Sequence, residues 1–261
     1  MDIRDHPTGP IAAEAAFTSD FDLPGHLSAQ EIDGLAEGDR PAMDDRPGMH
    51  HKYVPLRRDE ELGVNQVGGR YVFDTWENAV AYVRFTEQLE LEPGVPFWSR
   101  PFFSHVDRRV WRVVGAHDLT PLATTHHVSR LERWSWTGQA DDAGVLERAW
   151  PAVLEEAAGQ GLASVWLLRA PDERQMGLFR VRAAESVSDR AAVHAAVAAL
   201  EHLDSAEAGR AAAELGAHKV FDRTSLNLSL WLPLSRKAGG APSAHPFTAL
   251  YSGPQALQHS S

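Results

Sequence analysis

Three imidazoles, His105, His117 and His127, stand at the ends of aromatic-rich stretches and are the groups best suited to move a proton near neutral pH. Residues 97–105 and 110–116 are expected as two strands around Asp107–Arg108, a hairpin. Side chains two apart in a strand share a face, so Trp111, Val113, Gly115 and His117 are expected on one, and Phe97, Ser99, Pro101, Phe103 and His105 on another. Each face ends in a histidine. A neutral imidazole at the edge of an apolar cavity accepts a proton from a phenol or an activated C–H. The plainer reading of each is a histidine satisfied by a backbone carbonyl. His50, His51 and His245 fall in expected loops, and His194, His202 and His218 on helices or at their ends.

The chain has eight tryptophans and ten phenylalanines. Trp98, Phe103, Trp111, Trp134, Trp166 and Trp231 all fall in expected strands, and a cavity walled by such rings stacks flat polycyclic ligands. The alternative is a plain aromatic core. An iron site drawn from His117, Asp118 and His126 or His127 can be assembled on paper, but spacing does not select it, and no metal is expected. There is no cysteine, which removes thiolate nucleophiles, disulfides and cysteine-based metal sites. Gly68–Gly69 lacks the G-x-G-x-x-G spacing and a following lysine, and no Gly-x-Ser-x-Gly elbow occurs. No permanent cofactor is therefore expected.

The balance of 25 basic against 36 acidic residues, a formal charge of −11, repels nucleic acid and anionic membrane surfaces. The first thirty residues carry acids and no apolar run, so neither a signal peptide nor a spanning helix is readable. The expectation is a cytoplasmic protein.

These groups need a scaffold, and the spacing of apolar residues supplies one. Residues 125–234 read as β-α-β-β-α-β: a strand to Trp136, a helix with Leu146, Trp150, Val153 and Ala157 on one stripe, and a hairpin about Pro171–Arg174. Pro151 should kink that first helix or mark its true start. Helices capped by Ser188 and Ser205 follow, then a strand in which Leu226, Leu228, Leu230 and Leu232 alternate with Asn227, Ser229 and Trp231. This is the ferredoxin-like motif. Residues 49–124 repeat most of it, with a strand at 70–73 and a helix bearing Trp76, Ala79, Val80 and Val83. The fold class is α+β: two ferredoxin-like halves closing a barrel, helices outside and a cavity between the sheets. Residues 1–48, rich in proline and acids, read as an extended arm whose Phe17, Phe21 and Leu23 would anchor on a partner subunit of a homodimer. Residues 235–261 read as a flexible tail.

Gly68–Gly69–Arg70–Tyr71–Val72–Phe73–Asp74, followed by Ala79, Ala81 and Tyr82, resembles the strand-to-helix start of YdhR-type monooxygenases, within the dimeric α+β barrel (antibiotic biosynthesis monooxygenase-like) superfamily. Length, duplication and the alanine- and arginine-rich composition are similar to its angucycline B-ring-opening oxygenases of gilvocarcin-, jadomycin- and kinamycin-type pathways. The resemblance implies an oxygenase of a polycyclic aromatic polyketide in antibiotic biosynthesis, using O2 and a diffusible reduced flavin (FADH2) supplied by a separate flavin reductase. A polyketide cyclase or isomerase, or a non-catalytic aromatic-ligand-binding protein, would use the same cavity.

Overall fold

The computed structural model describes residues 8–43, 46–121, 127–183 and 190–231. Two-residue strand β1 (Gly9–Pro10) comes first. The first half then comprises β2 (Ala15–Pro24), helix α1 (Ala29–Met43), β3 (Met49–Asp59), β4 (Val64–Phe73), α2 (Trp76–Gln88), a small hairpin of β5 (Glu90–Glu92) with β6 (Val95–Pro96), and β7 (Ser104–Asp118). The second half comprises β8 (His127–Ser135), α3 (Asp142–Gly159), β9 (Ser164–Ala170), β10 (Gln175–Ala183), α4 (Arg190–Glu201), α5 (Ala206–Glu214) and β11 (His218–Trp231).

The strands run β7-β2-β4-β3-β11-β8-β10-β9, and β9 pairs back onto β7, closing an antiparallel barrel. Within each half the order is fourth-first-third-second, the ferredoxin-like arrangement, so the duplication and the α+β barrel expected from the sequence are present. The second strand of each half joins the fourth of the other. Closure leaves no free edge in the barrel.

The strands of the barrel have two kinds of apolar face. Val165, Leu167, Met176 and Leu178 turn outward beneath Leu146, Val153, Ala157 and Ala211 of the second half's helices. Inside, Tyr53, Trp111, Leu131, Trp166, Leu168 and Phe179 form one cluster. The space expected as a cavity between the sheets is thus filled. Trp166 lies 4.5 Å from Phe179 between ring centroids, and Tyr53 lies within 5.9 Å of both.

Four expectations change. Residues 1–48 are not an extended arm, because β2 supplies the first strand of the first half and α1 its first helix. In β2, Phe17 and Leu23 face helices while Thr18, Asp20 and Asp22 are buried on the other face. The acids that make the segment look solvated sit in the barrel, where Asp20 accepts from Arg70 (2.6 Å) and Arg223 (2.8 Å). Helix α1 opens on a reciprocal cap: Ser28 Oγ accepts from Glu31 N, and Glu31 accepts from Ser28 N (2.7 Å).

The second change is that 97–105 and 110–116 are not a hairpin. Phe97–Ser99 is one turn of 3-10 helix, and Ser104–Asp118 is one continuous strand in which Asp107 pairs in register with Asp20. No glycine, proline or asparagine stands at 106–109 to turn the chain. The third is a register shift between Val113 and Gly115, which interrupts the alternation. Trp111 and Ala116 therefore belong to the interior cluster, and His117 to an outer groove. The fourth is that, of a kink or a true start at Pro151, the start is excluded, since α3 runs on through Pro151 from its N-cap Asp141. The tail at 235–261 and Ser188 lie outside the described residues.

Candidate functional site

The three histidines are not brought together. His105 sits at the start of β7 with φ 50°, its side chain 82% exposed, and its Nδ1 lies 2.8 Å from Asp22 Oδ2. His117 faces an open groove of about 740 Å³ beside Trp150 and Leu154, outside the barrel. His127 is fully buried, edge-on to Tyr53 at 5.9 Å. Among the described residues no three histidine or carboxylate side chains are grouped as metal ligands would be; His126 lies outside them.

The tryptophans divide as well. Trp111 and Trp166 are fully buried in the barrel, their indole N–H groups donating to Thr18 Oγ1 (2.9 Å) and Ser164 Oγ (3.1 Å). Trp134 is buried on the outer face of β8 among the residues under the helices. Trp231 pairs through its backbone with Lys52 at the end of β11, and its side chain lies outside the described set. Trp98 and Phe103 are different: both line a cavity of about 50 Å³.

That cavity lies in the first half, between the outer face of β2, β3 and β4 and a cover made by α1 and the segment 97–103. Aromatic and aliphatic walls come from Phe21, Leu35, Val54, Phe97, Trp98 and Phe103. Phe21 and Phe103 lie 4.3 Å apart between centroids, and Trp98 stands edge-on to Phe97 at 4.7 Å. The charged lining is Asp39, Lys52 and Arg100. Arg100 grips Asp39 with two bonds of 2.8 and 2.9 Å, while its guanidinium lies 4.7 Å from the Phe97 ring centroid. A planar fork between a carboxylate and a ring is what arginine, not lysine, can hold. Burial raises the Asp39 carboxyl above its ordinary value, against the lowering effect of Arg100 and Lys52.

Tyr71 forms part of the floor, with the Lys52 ammonium 4.9 Å over its ring. Its hydroxyl is pushed well above the usual phenol range by burial, then by the neighbouring Tyr82 and Asp39, so it stays protonated. Trp98 Nε1 is a buried donor that meets no acceptor among the described residues. The pocket thus offers a ligand more donors than acceptors, and an oxygen-bearing ring suits it. In the second half Arg180 and Arg130 run under α4, Arg130 donating to Glu201 O (2.8 Å) and Asp222 (2.6 and 2.7 Å), and Arg180 to Glu132 and Leu203 O.

Sequence reading finds Trp98 and Phe103 and, through the Gly-Gly-x-Tyr pattern, the neighbourhood of Tyr71. It misses Asp39, Lys52 and Arg100. The capping box Ser28–Glu31 is the available signal for α1, and hence for Asp39 two turns further on.

No model of a known protein family matches the chain, and no curated protein matches it either. Solved structures do. A protein of Fusobacterium nucleatum subsp. nucleatum ATCC 25586 named as a "putative monooxygenase" superposes with TM-score 0.53 at 9% identity, covering 84% of this chain and 94% of that one. An anthrone oxidase-like protein superposes with TM-score 0.52 at 10% identity, covering 90% and 98%. At such identities the likeness is one of fold, the α+β barrel described above.

Proposed function

We propose that the chain is an oxygenase that holds a flat, oxygen-bearing aromatic molecule in the first-half cavity and oxidises it with O2. The observation that carries this reading is the donor-rich pocket with ring walls: Tyr71, Trp98 and Lys52 face one space with Phe97 and Phe103. The names of the two structures sharing the fold support it, an anthrone being a tricyclic ketone with an activated methylene. Oxidation of such a group balances with dioxygen alone: the methylene and one O2 become a carbonyl and one water. Two C–H bonds break, one oxygen atom enters the product, and the other leaves with both hydrogens.

In this scheme Tyr71 O–H and Trp98 Nε1–H donate to the ketone oxygen and strengthen their hold as charge gathers there when the C–H proton leaves. Asp39 is the one carboxylate among the described lining residues, and burial makes it the more basic, so it receives the proton. A substrate of two or three rings requires the segment 97–103 to move outward, since 50 Å³ holds only a few waters at ~10–15 Å³ each. The finer reading is a polycyclic polyketide of an antibiotic pathway.

The ring-opening reaction needs a reductant, and the adjacent glycines do not make a phosphate loop for one: Gly68 and Gly69 lie inside β4, paired with Asp20 and Ser19 of β2. The proposed oxidation runs without flavin.

The test is oxygen uptake with an anthrone as substrate, with and without reduced flavin. Uptake of one O2 per quinone formed, independent of flavin and reduced by Tyr71→Phe and Trp98→Phe, is the expected result. Absolute dependence on reduced flavin, or no turnover at all, would overturn the scheme.

A further inference from the structure

Resting on that reading, we infer that the segment 97–103 is a hinged gate over the first-half cavity, and that Arg100, through its pair with Asp39, governs how often the gate opens to a flat aromatic ligand.

The floor of the cavity belongs to strands of a closed barrel, which are paired on both sides. The cover is built differently. No residue of 97–103 lies in a strand. Among the described residues its backbone is tied to the rest of the chain where Phe97 N donates to Leu89 O (2.7 Å), while Phe103 N donates within the segment, to Arg100 O (3.0 Å). Left-handed residues bracket it, Gly94 at φ 76° and His105 at φ 50°. The second is uncommon for a residue with a side chain, and such positions gather at clamps and switches. Asp22 holds it there, its Oδ2 lying 2.8 Å from His105 Nδ1.

Side chains close what the backbone leaves loose. Arg100 is the one charged residue in the segment. Its guanidinium carbon lies 4.7 Å from the ring centroid of Phe97 and 5.7 Å from those of Phe102 and Phe103, so three rings of the cover gather about a single cation. The same cation grips Asp39 of α1 through two nitrogens, at 2.8 and 2.9 Å. Both partners are buried, Arg100 at 6% and Asp39 at 9% exposed, so water screens the pair little.

The remaining contacts of the cover are exchangeable. Phe21 meets Phe103 at 4.3 Å and Trp98 at 6.0 Å between centroids, and the ring of a ligand can take the place of either partner. It cannot take the place of a carboxylate. The ion pair must therefore part when 97–103 swings outward, and the apparent affinity is reduced by the fraction of molecules in which it has parted. A weaker pair raises that fraction. The consequence runs against the usual effect of damaging a pocket wall: loosening Arg100 speeds entry and tightens binding.

The experiment uses Arg100→Lys, which keeps the charge and loses the fork. A second variant joins Asp39→Asn to Arg100→Met, removing the link without leaving a buried charge alone, and it carries the test if the single variant fails to fold. Hydrogen exchange of the ligand-free proteins, followed by mass spectrometry, should quicken about tenfold over 97–103 and stay unchanged over 164–183 in the second half. In stopped flow, 2-naphthol should associate about tenfold faster with either variant and leave at a rate within about threefold of the wild type. Exchange over 97–103 that does not quicken, or naphthol that binds the variants no faster, overturns the gate while leaving the cavity in place. If naphthol binds none of the three proteins although exchange quickens as expected, the gate stands and the proposed function falls.

Discussion

The ring of Tyr71 occupies the place where Gly69 would carry a β-carbon: an atom built there stands 2.3 Å from Tyr71 Cε2 and 2.8 Å from its hydroxyl oxygen. The tyrosine folds back over its own strand, and its ring meets Tyr82 of α2 at 4.9 Å between centroids. The second glycine of the pattern therefore makes room for the tyrosine that floors the cavity.

Gly69→Ala should consequently destabilise the protein by about 1–3 kcal/mol, because the ring must leave its place against Tyr82. In a Tyr71→Ala background the same change should cost far less. A double-mutant cycle by urea unfolding measures the difference. Additive costs would show that the close approach is not what restricts the position.

Trp111 is fully buried inside the barrel with its N–H on Thr18. Trp111→Ala should cost about 3–5 kcal/mol of stability from the cavity and the orphaned hydroxyl. Affinity for an anthrone, measured at a temperature where the variant is folded, should stay within about twofold. Loss of affinity with unchanged stability would return Trp111 to a substrate wall.

What can be read from the sequence follows the physics of each segment. The second half is legible because its outer faces are apolar against helices, giving periods of two and of helical spacing without interruption. The first half hides its opening strand because the barrel interior at that end is ionic, so Thr18, Asp20 and Asp22 imitate a solvated loop. Strict alternation puts His117 on the face of Trp111, and the register shift in β7 moves it to the other, which no single-sequence pattern reveals. The charged lining of the cavity comes from three elements distant in sequence, α1, β3 and the 97–103 segment, so only the folded chain collects it.

Asp39 gives a pH dependence of defined sign. Its carboxyl is raised in the folded protein above 3.8, so between the two values the folded chain binds more protons than the unfolded one. The stability due to this group is fully present below 3.8 and is lost as pH rises through the folded value. Unfolding free energies of the wild type and Asp39→Asn, measured from about pH 3.5 to 7, should therefore converge or cross as pH rises, the wild type being relatively favoured in acid. A wild-type advantage that grows with pH would mean the Arg100 pair outweighs burial.

The sharpest contrast is between the imidazoles and the cavity donors. His105 is exposed on Asp22 and His117 faces the outer groove, so neither reaches a ligand between β4 and α1. His105→Ala and His117→Ala should keep turnover of an anthrone within about twofold. Tyr71→Phe and Trp98→Phe each remove one donor aimed at the developing oxyanion and should lower turnover by about 10²-fold, with a smaller effect on binding. His127→Ala is a separate case, since the ring is buried beside Tyr53, and its effect should appear first in stability. A general base removed from the reaction typically costs ~10²–10⁴ in rate. If either His105→Ala or His117→Ala lost that much while Tyr71→Phe stayed active, the reaction would have to be moved out of the first-half cavity, and the His117 groove beside Trp150 would become the place to look.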